Sequence, residues 1–197
     1  MNIILASQSP RRKELLERMG ISPFKTISPN IDEHVFDDLP PEQMVRALSS
    51  EKASAIISHV GPNDIVIAAD TVVALDGAVL GKPLDDLDAF KMLSALSGMR
   101  HQVYTGVTVC RGEERVTEHE VTDVFFRELS ESEIECYVKT GEPLDKAGAY
   151  GVQGYGALLV ERIIGDHYNV MGLPVCRLGQ ILTRFGVDCM RLAARID

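Results

Sequence analysis

Ile65-Val66-Ile67-Ala68-Ala69-Asp70-Thr71-Val72-Val73-Ala74-Leu75-Asp76-Gly77-Ala78-Val79-Leu80 decides the fold class. Ile65 to Ala69 is continuously apolar and rich in β-branched residues, as a strand buried on both faces requires. The pattern predicts that this strand ends at Asp70-Thr71. Val72 to Leu75 and Ala78 to Leu80 then flank Asp76-Gly77, the two-residue signal of a type I′ hairpin. Gly81-Lys82-Pro83 closes the unit.

Working outward, helical and extended patterns alternate, which makes the chain α/β. Upstream, Ile3 to Ala6 reads as a buried strand. Ser9 as N-cap and Pro10 in the first turn open a helix to Met19, which Gly20 ends. A short strand around Phe24 to Ser28 leads into the acidic loop Asp32-Glu33. Pro41 opens a helix to about His59, with Val45, Leu48 and Ile56 on one face, and Gly61-Pro62-Asn63-Asp64 breaks it. Downstream, a helix from about Leu87 to Ser97 is stopped by Gly98. His101 to Cys110 and Arg115 to Arg127 form two long antiparallel strands joined at Gly112, with Thr105-Gly106 interrupting the first. Ser130 and Glu133 make a capping box for a helix over about Glu131 to Thr140. Glu142 to Tyr155 is an irregular glycine-rich loop, followed by a strand over Ala157 to Ile164 and a final helix over about Pro174 to Phe185. No repeat or linker divides the chain, so residues 1–197 are expected to form a single domain.

Composition narrows the function classes. With 197 residues and 45% hydrophobic content, the chain can build a continuous core. Its longest apolar runs fall far short of the roughly 20 residues of a membrane span. The run Met1 to Ala6 has neither a preceding basic stretch nor a cleavage site, so it reads as a strand rather than a signal peptide, and a cytoplasmic location is expected. Cys110, Cys136, Cys176 and Cys189 lack zinc or redox spacing. A net charge of −9 argues against a nucleic-acid polymer as partner. A small anionic ligand needs only a few cations gathered at one place, and a bound divalent metal offsets part of the repulsion.

Candidate cations are present. Arg11, Arg12 and Lys13 occupy the first turn of a helix, where the macrodipole disfavours each by roughly 0.3–1 kcal/mol. The same helix end offers free backbone N–H groups, so Ser7, Ser9, Arg11 and Arg12 together suit a phosphate chain, the bland reading being a solvated cluster balanced by Glu14 and Glu17. Lys52 continues the apolar series Val45, Leu48, Ile56, where a snorkelling lysine is the ordinary explanation. Lys82, between Gly81 and Pro83, reads equally as an exposed turn residue. Asp70, at the predicted carboxyl end of a buried strand, is placed for Mg²⁺, with Glu33 as second carboxylate. In the Glu142 to Gly154 run, glycines allow close backbone approach, and Gln153 offers the donor and acceptor that reading a base edge requires. No P-loop and no G-x-G-x-x-G fingerprint is present.

Ala6-Ser7-Gln8-Ser9-Pro10-Arg11-Arg12, Ala69-Asp70-Thr71-Val72-Val73, Gly81-Lys82-Pro83, Tyr104-Thr105-Gly106-Val107, the Glu142 to Gly154 run and Gly165-Asp166-His167-Tyr168-Asn169-Val170-Met171-Gly172-Leu173-Pro174 resemble, in order, the Maf family of nucleoside triphosphate pyrophosphatases. Glu142 to Gly154 is similar to the dTTP/UTP subgroup rather than the 7-methyl-GTP subgroup, while His167 and Met171 depart mildly from the last motif. The resemblance implies a catalytic Asp70, specificity positions at Arg12, Thr71 and Gln153, and use of Lys52, Lys82 and Glu33. It also implies an elongated mixed β-sheet flanked by helices, with two lobes and a central cleft as in Maf and inosine triphosphatase folds, a homodimer, and a divalent cation, Mg²⁺ or Mn²⁺. The expected reaction is water attack on the α-phosphorus of a nucleoside triphosphate with pyrophosphate leaving, the phosphates being bound by Ser7, Arg11, Arg12, Lys52 and Lys82 and their charge neutralised by Arg12, Lys52 and Lys82. An unperturbed aspartate, of pKa about 3.9, is a feeble base toward bulk water, so Asp70 orients the water, accepts its proton or holds the metal. The alternatives are a nucleotide-binding regulator of cell division with incidental hydrolysis, and the same chemistry on 7-methyl-GTP.

Overall fold

Apolar strand-length runs alternating with capped helical segments place seven strands in one mixed sheet flanked by helices, in a computed structural model that describes residues 2–32, 36 and 38–194. Along the chain these are β1 (Ile3–Leu5), α1 (Pro10–Arg18), β2 (Lys25–Thr26), α2 (Pro41–Ile57), β3 (Ile65–Leu75), β4 (Ala78–Leu80) and α3 (Asp86–Leu96). They continue with β5 (Arg100–Arg111), β6 (Glu114–Phe126), α4 (Glu131–Val138), β7 (Val160–Ile164), α5 (His167–Met171), α6 (Val175–Arg184) and α7 (Cys189–Ala194). The strand order is β2-β1-β3-β5-β6-β7, with β4 paired to β3. Among the described residues no helix is long and apolar enough to cross a membrane. The chain forms two compact units, one of Met1–Asp70, Thr105–Glu120 and Gly172–Asp197, the other of Thr71–Tyr104 and Val121–Met171.

In the first unit β1 is parallel to both neighbours, with Leu5 in register with Thr26 of β2 and Ile67 of β3. Val66 and Ala68 of β3 pack with Ala53 and Ile56 of α2 in one apolar cluster. α2 also meets β5 closely: a Cβ on Gly106 would overlap the Val45 carbonyl oxygen, and Ser49 Oγ lies 3.0 Å from Thr108 Oγ1. The predicted interruption at Thr105-Gly106 is therefore absent, because this glycine serves close approach of a helix within an unbroken strand. Past α6, Gly186 turns the backbone at φ 79° and α7 follows, so α6 is not the last helix. A Cβ on Gly20 would lie 2.8 Å from the Ala193 backbone nitrogen of α7.

β3 also runs further than predicted. It is continuous from Ile65 to Leu75, with Asp70 in its interior rather than at its end. β1 pairs with it through Ile67, β4 pairs from Val73 onward, and β5 is its further neighbour. A strand is maintained by its ladder, so one carboxylate between two paired stretches does not end it. The hairpin turn has the type I′ signature, with φ of 49° at Asp76 and 83° at Gly77.

The second unit is built on the core of Leu93, Leu96, Val124, Phe126, Ile134, Tyr137 and their neighbours. Ser130 and Glu133 form the reciprocal capping box of α4, and Asp85 caps α3. β7 is antiparallel to β6 and begins at Val160 rather than Ala157, because Tyr155–Leu158 is wound into a 3₁₀ turn. His101 is 1% exposed, stacks edge-on against Phe126 and Tyr150, and shares a 2.8 Å hydrogen bond between Nε2 and the Tyr150 hydroxyl. Burial holds its imidazole neutral, with a pKa lowered to about 4.

An unfolded histidine near 6.5 binds a proton that the folded His101 refuses until about pH 4. Stability from this group is therefore fully present above pH 6.5 and is lost as pH falls toward 4, by up to about 1.4 kcal/mol per pH unit. Urea unfolding at intervals across that window should show a shallower decline for His101→Gln than for the parent chain. Parallel curves would rule out the buried neutral imidazole.

Candidate functional site

At the carboxyl end of β1 the chain turns through Ser7 and Ser9 into α1. Ser7 Oγ accepts hydrogen bonds from the Ser9 backbone N–H at 3.1 Å and from Arg12 Nη1 at 3.4 Å, while Ser9 Oγ caps the helix at Arg12 N. Arg12 Nε donates to the Gly172 carbonyl at 2.8 Å. The guanidinium is thus clasped between the start of α1 and the residue following α5, fixed in direction before any ligand arrives. The first turn of α1 carries no acidic residue, and Glu14 pairs with Arg18 at 2.6 Å. Arg11 lies half-buried beside Arg12 in this turn.

Asp70 belongs to the same unit. In register terms it lies three residues beyond Ile67, the partner of Leu5, so β3 carries it past the point where parallel β1 stops. Ligand sites in α/β sheets form outside such carboxyl ends. Lys52 does not snorkel: its Nζ donates to Asp70 Oδ1 at 2.5 Å, with the two side chains only 11% and 10% exposed. An ammonium or carboxylate taken from water alone costs several kcal/mol, and pairing is what makes each tolerable there. The helical spacing that puts Lys52 on the apolar face of α2 is therefore the spacing that aims it at β3.

Thr71, Lys82 and Gln153 belong to the second unit. Thr71 is half-buried on β3, and Lys82 and Gln153 are exposed. Gly148 joins the glycine-rich segment both to the Lys82 turn and to β3. The Gly148 N–H donates to the Gly81 carbonyl at 3.0 Å, and Gly148, at φ 67°, leaves no room for a Cβ against the Val73 methyl groups of β3. The segment is more ordered than its composition predicts, with 3₁₀ turns over Glu142–Asp145 and Ala147–Ala149. Glu33, expected as a second carboxylate, falls outside the described residues.

Some contributors escape sequence reasoning. Asn169 is fully buried on α5 and its amide donates to the Val103 carbonyl at 2.9 Å and Thr122 Oγ1 at 3.0 Å, so the last motif is tied to β5 and β6. Glu142 and Tyr137 serve the loop that carries Gln153. A five-residue spacing between a helical tyrosine and a loop glutamate is too common to reveal that in advance.

The family described as "Maf-like protein" matches residues 2–185. A dTTP/UTP pyrophosphatase of Symbiobacterium thermophilum is 52% identical over 93% of this chain and 94% of its own length. Those of Moorella thermoacetica and Clostridioides difficile are 53% and 49% identical, each over 94% of this chain and over 96% and 95% of their own lengths.

Replacing Lys52 by methionine strands a buried carboxylate. The expected loss is about 3–5 kcal/mol of unfolding free energy, most of it recovered in the Lys52→Met/Asp70→Leu double variant. Denaturant titration reads both, and a single-variant loss below about 1 kcal/mol would show that the pair is effectively solvated.

Proposed function

The chain belongs to the Maf family, and on that premise we propose that it hydrolyses dTTP and UTP to the nucleoside monophosphate and pyrophosphate. It is read as a nucleoside triphosphate diphosphatase. The observation that carries the reading is the buried Lys52–Asp70 pair, on a chain whose relatives are named for this hydrolysis over nearly their whole length.

The reaction requires a water aligned opposite the departing pyrophosphate, and charge to stabilise that leaving group. Asp70 is assigned the water: a carboxylate held by an ammonium on a packed helix has one orientation. Lys52, beyond holding Asp70, keeps the local charge near neutral, so a polyphosphate anion is not repelled by a bare carboxylate. Arg12, fixed by Ser7 and Gly172, together with Ser7, Arg11 and the N–H groups opening α1, suits phosphate oxygens. Lys82 adds a cation. Thr71 and Gln153 are assigned to nucleotide selection, since the Gln153 amide offers both a donor and an acceptor to a base edge.

The donor set also fits a divalent cation carried in with the substrate. Among the described residues no three His, Cys, Asp or Glu side chains gather as a metal cage. Mg²⁺ in phosphate chemistry takes one or two carboxylates and completes its shell with water and phosphate, and Asp70 is suited to be one of them; Glu33 is named as the second from the sequence alone and lies outside the described residues. When bound, Mg²⁺ or Mn²⁺ supplies charge neutralisation and a more acidic water. The reading further takes residues 1–197 as one functional domain in the cytoplasm, as the sequence pattern suggests, and as a homodimer, as the family resemblance implies.

Asp70→Asn is the direct test. The amide oxygen still accepts from Lys52 but leaves the buried ammonium without its counter-charge, so a cost of about 3–5 kcal/mol is expected; in protein shown by denaturant titration to be folded, pyrophosphate release from dTTP and UTP falls to background. Turnover within about tenfold of the parent chain would remove Asp70 from the chemistry.

A further inference from the structure

Gln153 poses a problem of geometry. A primary amide carries its donor and acceptor side by side, and a half-turn about its last bond exchanges them. Uracil and thymine present a ring N–H beside a carbonyl, while cytosine presents a ring acceptor beside an amino group. A freely turning glutamine therefore reads either pattern equally well. Discrimination requires that the amide meet the base edge in one orientation, and a backbone held in one place is the first condition for that.

The second unit holds it from both ends through two side chains. Tyr137, at the end of α4, accepts a hydrogen bond on its hydroxyl from the Gly151 N–H at 3.2 Å and donates to Glu142 Oε1 at 2.9 Å. The Glu142 carboxylate accepts from the Gly156 N–H on Oε1 at 3.1 Å and from the Tyr155 N–H on Oε2 at 2.8 Å. Gly151 to Gly156, with Gln153 near the middle, is thus a loop whose two ends close on one phenol–carboxylate pair.

The glycines in this loop fit the arrangement sterically. A Cβ on Gly154 would overlap Glu142 Oε2, and one on Gly156 would lie 2.7 Å from the Tyr137 hydroxyl. On Gly151 it would come within 2.7 Å of Cδ of Lys146, whose ammonium donates to the Glu142 carbonyl at 2.7 Å. Glu142 is anchored in turn by its own N–H on Thr140 Oγ1 at 3.2 Å. Tyr137 is 5% exposed within the core beside Ile134, on a helix started by a closed capping box, so the pair stands on rigid support. Burial also pushes the phenol above its ordinary pKa, which keeps it a donor throughout the working range.

We propose that Tyr137 and Glu142 are positioning residues for base discrimination: they fix the backbone of Gly151–Gly156, so that the Gln153 side chain meets the base edge from one place and direction. The proposal rests on the reading of Gln153 as a base-selecting residue. Neither side chain touches the reacting atoms, so their loss appears in selectivity and KM before it appears in kcat.

The test compares kcat/KM for UTP and CTP, with Mg²⁺, in the parent chain, Tyr137→Phe, Glu142→Gln and Gln153→Ala. Tyr137→Phe removes one oxygen and keeps the ring in the core, so it carries the test if Glu142→Gln fails to fold. The expected result is a fall of about tenfold in the UTP:CTP ratio for Tyr137→Phe, mostly through KM for UTP, with kcat for UTP within about threefold. In the Tyr137→Phe/Gln153→Ala double variant the ratio should be no lower than in Gln153→Ala alone. An unchanged ratio in Tyr137→Phe, where Gln153→Ala collapses it, overturns the positioning role and leaves the base-reading role standing. A ratio untouched by Gln153→Ala overturns both.

Discussion

The ion pair between Lys52 and Asp70 is the constraint that orders the first unit. Neither charge is tolerable alone at about a tenth exposure, so α2 and β3 must meet at one register. Ala53 and Ile56 beside Lys52 on α2, and Ala68 beside Asp70 on β3, supply the apolar contact that brings the partners together. Gly106 against Val45 and the Ser49–Thr108 contact hold α2 against β5 about two turns and one turn earlier along the same helix. Buried pairs contribute little net stability against apolar substitutes of equal size, so the retention of one here points to use of the carboxylate rather than to stability.

A different device operates in the second unit. The polar groups of the glycine-rich segment turn inward on the segment itself: the Glu142 carboxylate takes two backbone N–H groups and a phenol, and Lys146 bonds the Glu142 carbonyl. Satisfying a loop's own backbone in this way removes freedom that a ligand would otherwise have to remove on binding. Gly148, packed on Val73, ties the segment to β3, the strand that carries Asp70 and Thr71.

Local chemistry was legible in the sequence where one or two residues decide a conformation. Asp76-Gly77 gave the hairpin, Ser9-Pro10 the start of α1, and Ser130 with Glu133 the start of α4. Decisions made by distant partners were not. Asp70 reads as a terminator until the pairing of β1, β4 and β5 along β3 is known, and Gly106 reads as an interruption until the Val45 carbonyl is found against it. α5 and α7 are too short to show a helical period, and the 3₁₀ turn over Tyr155–Leu158 hides in a stretch with the composition of a strand. At the site, Arg12 stood out as a charge in a place where charge is unfavourable, whereas Lys52 read as an ordinary snorkelling lysine and Asp70 as a carboxylate at a strand end. That the last two are partners was not legible, because eighteen residues and a change of element separate them.

Hydrolysis of UTP in water enriched in heavy oxygen reads the reaction most directly. Attack at the α-phosphorus places one heavy oxygen in the UMP formed and none in the pyrophosphate, as mass spectrometry of the two products would record. Label in pyrophosphate, or release of labelled orthophosphate, would contradict the assignment of the buried pair to an α-phosphorus pyrophosphatase.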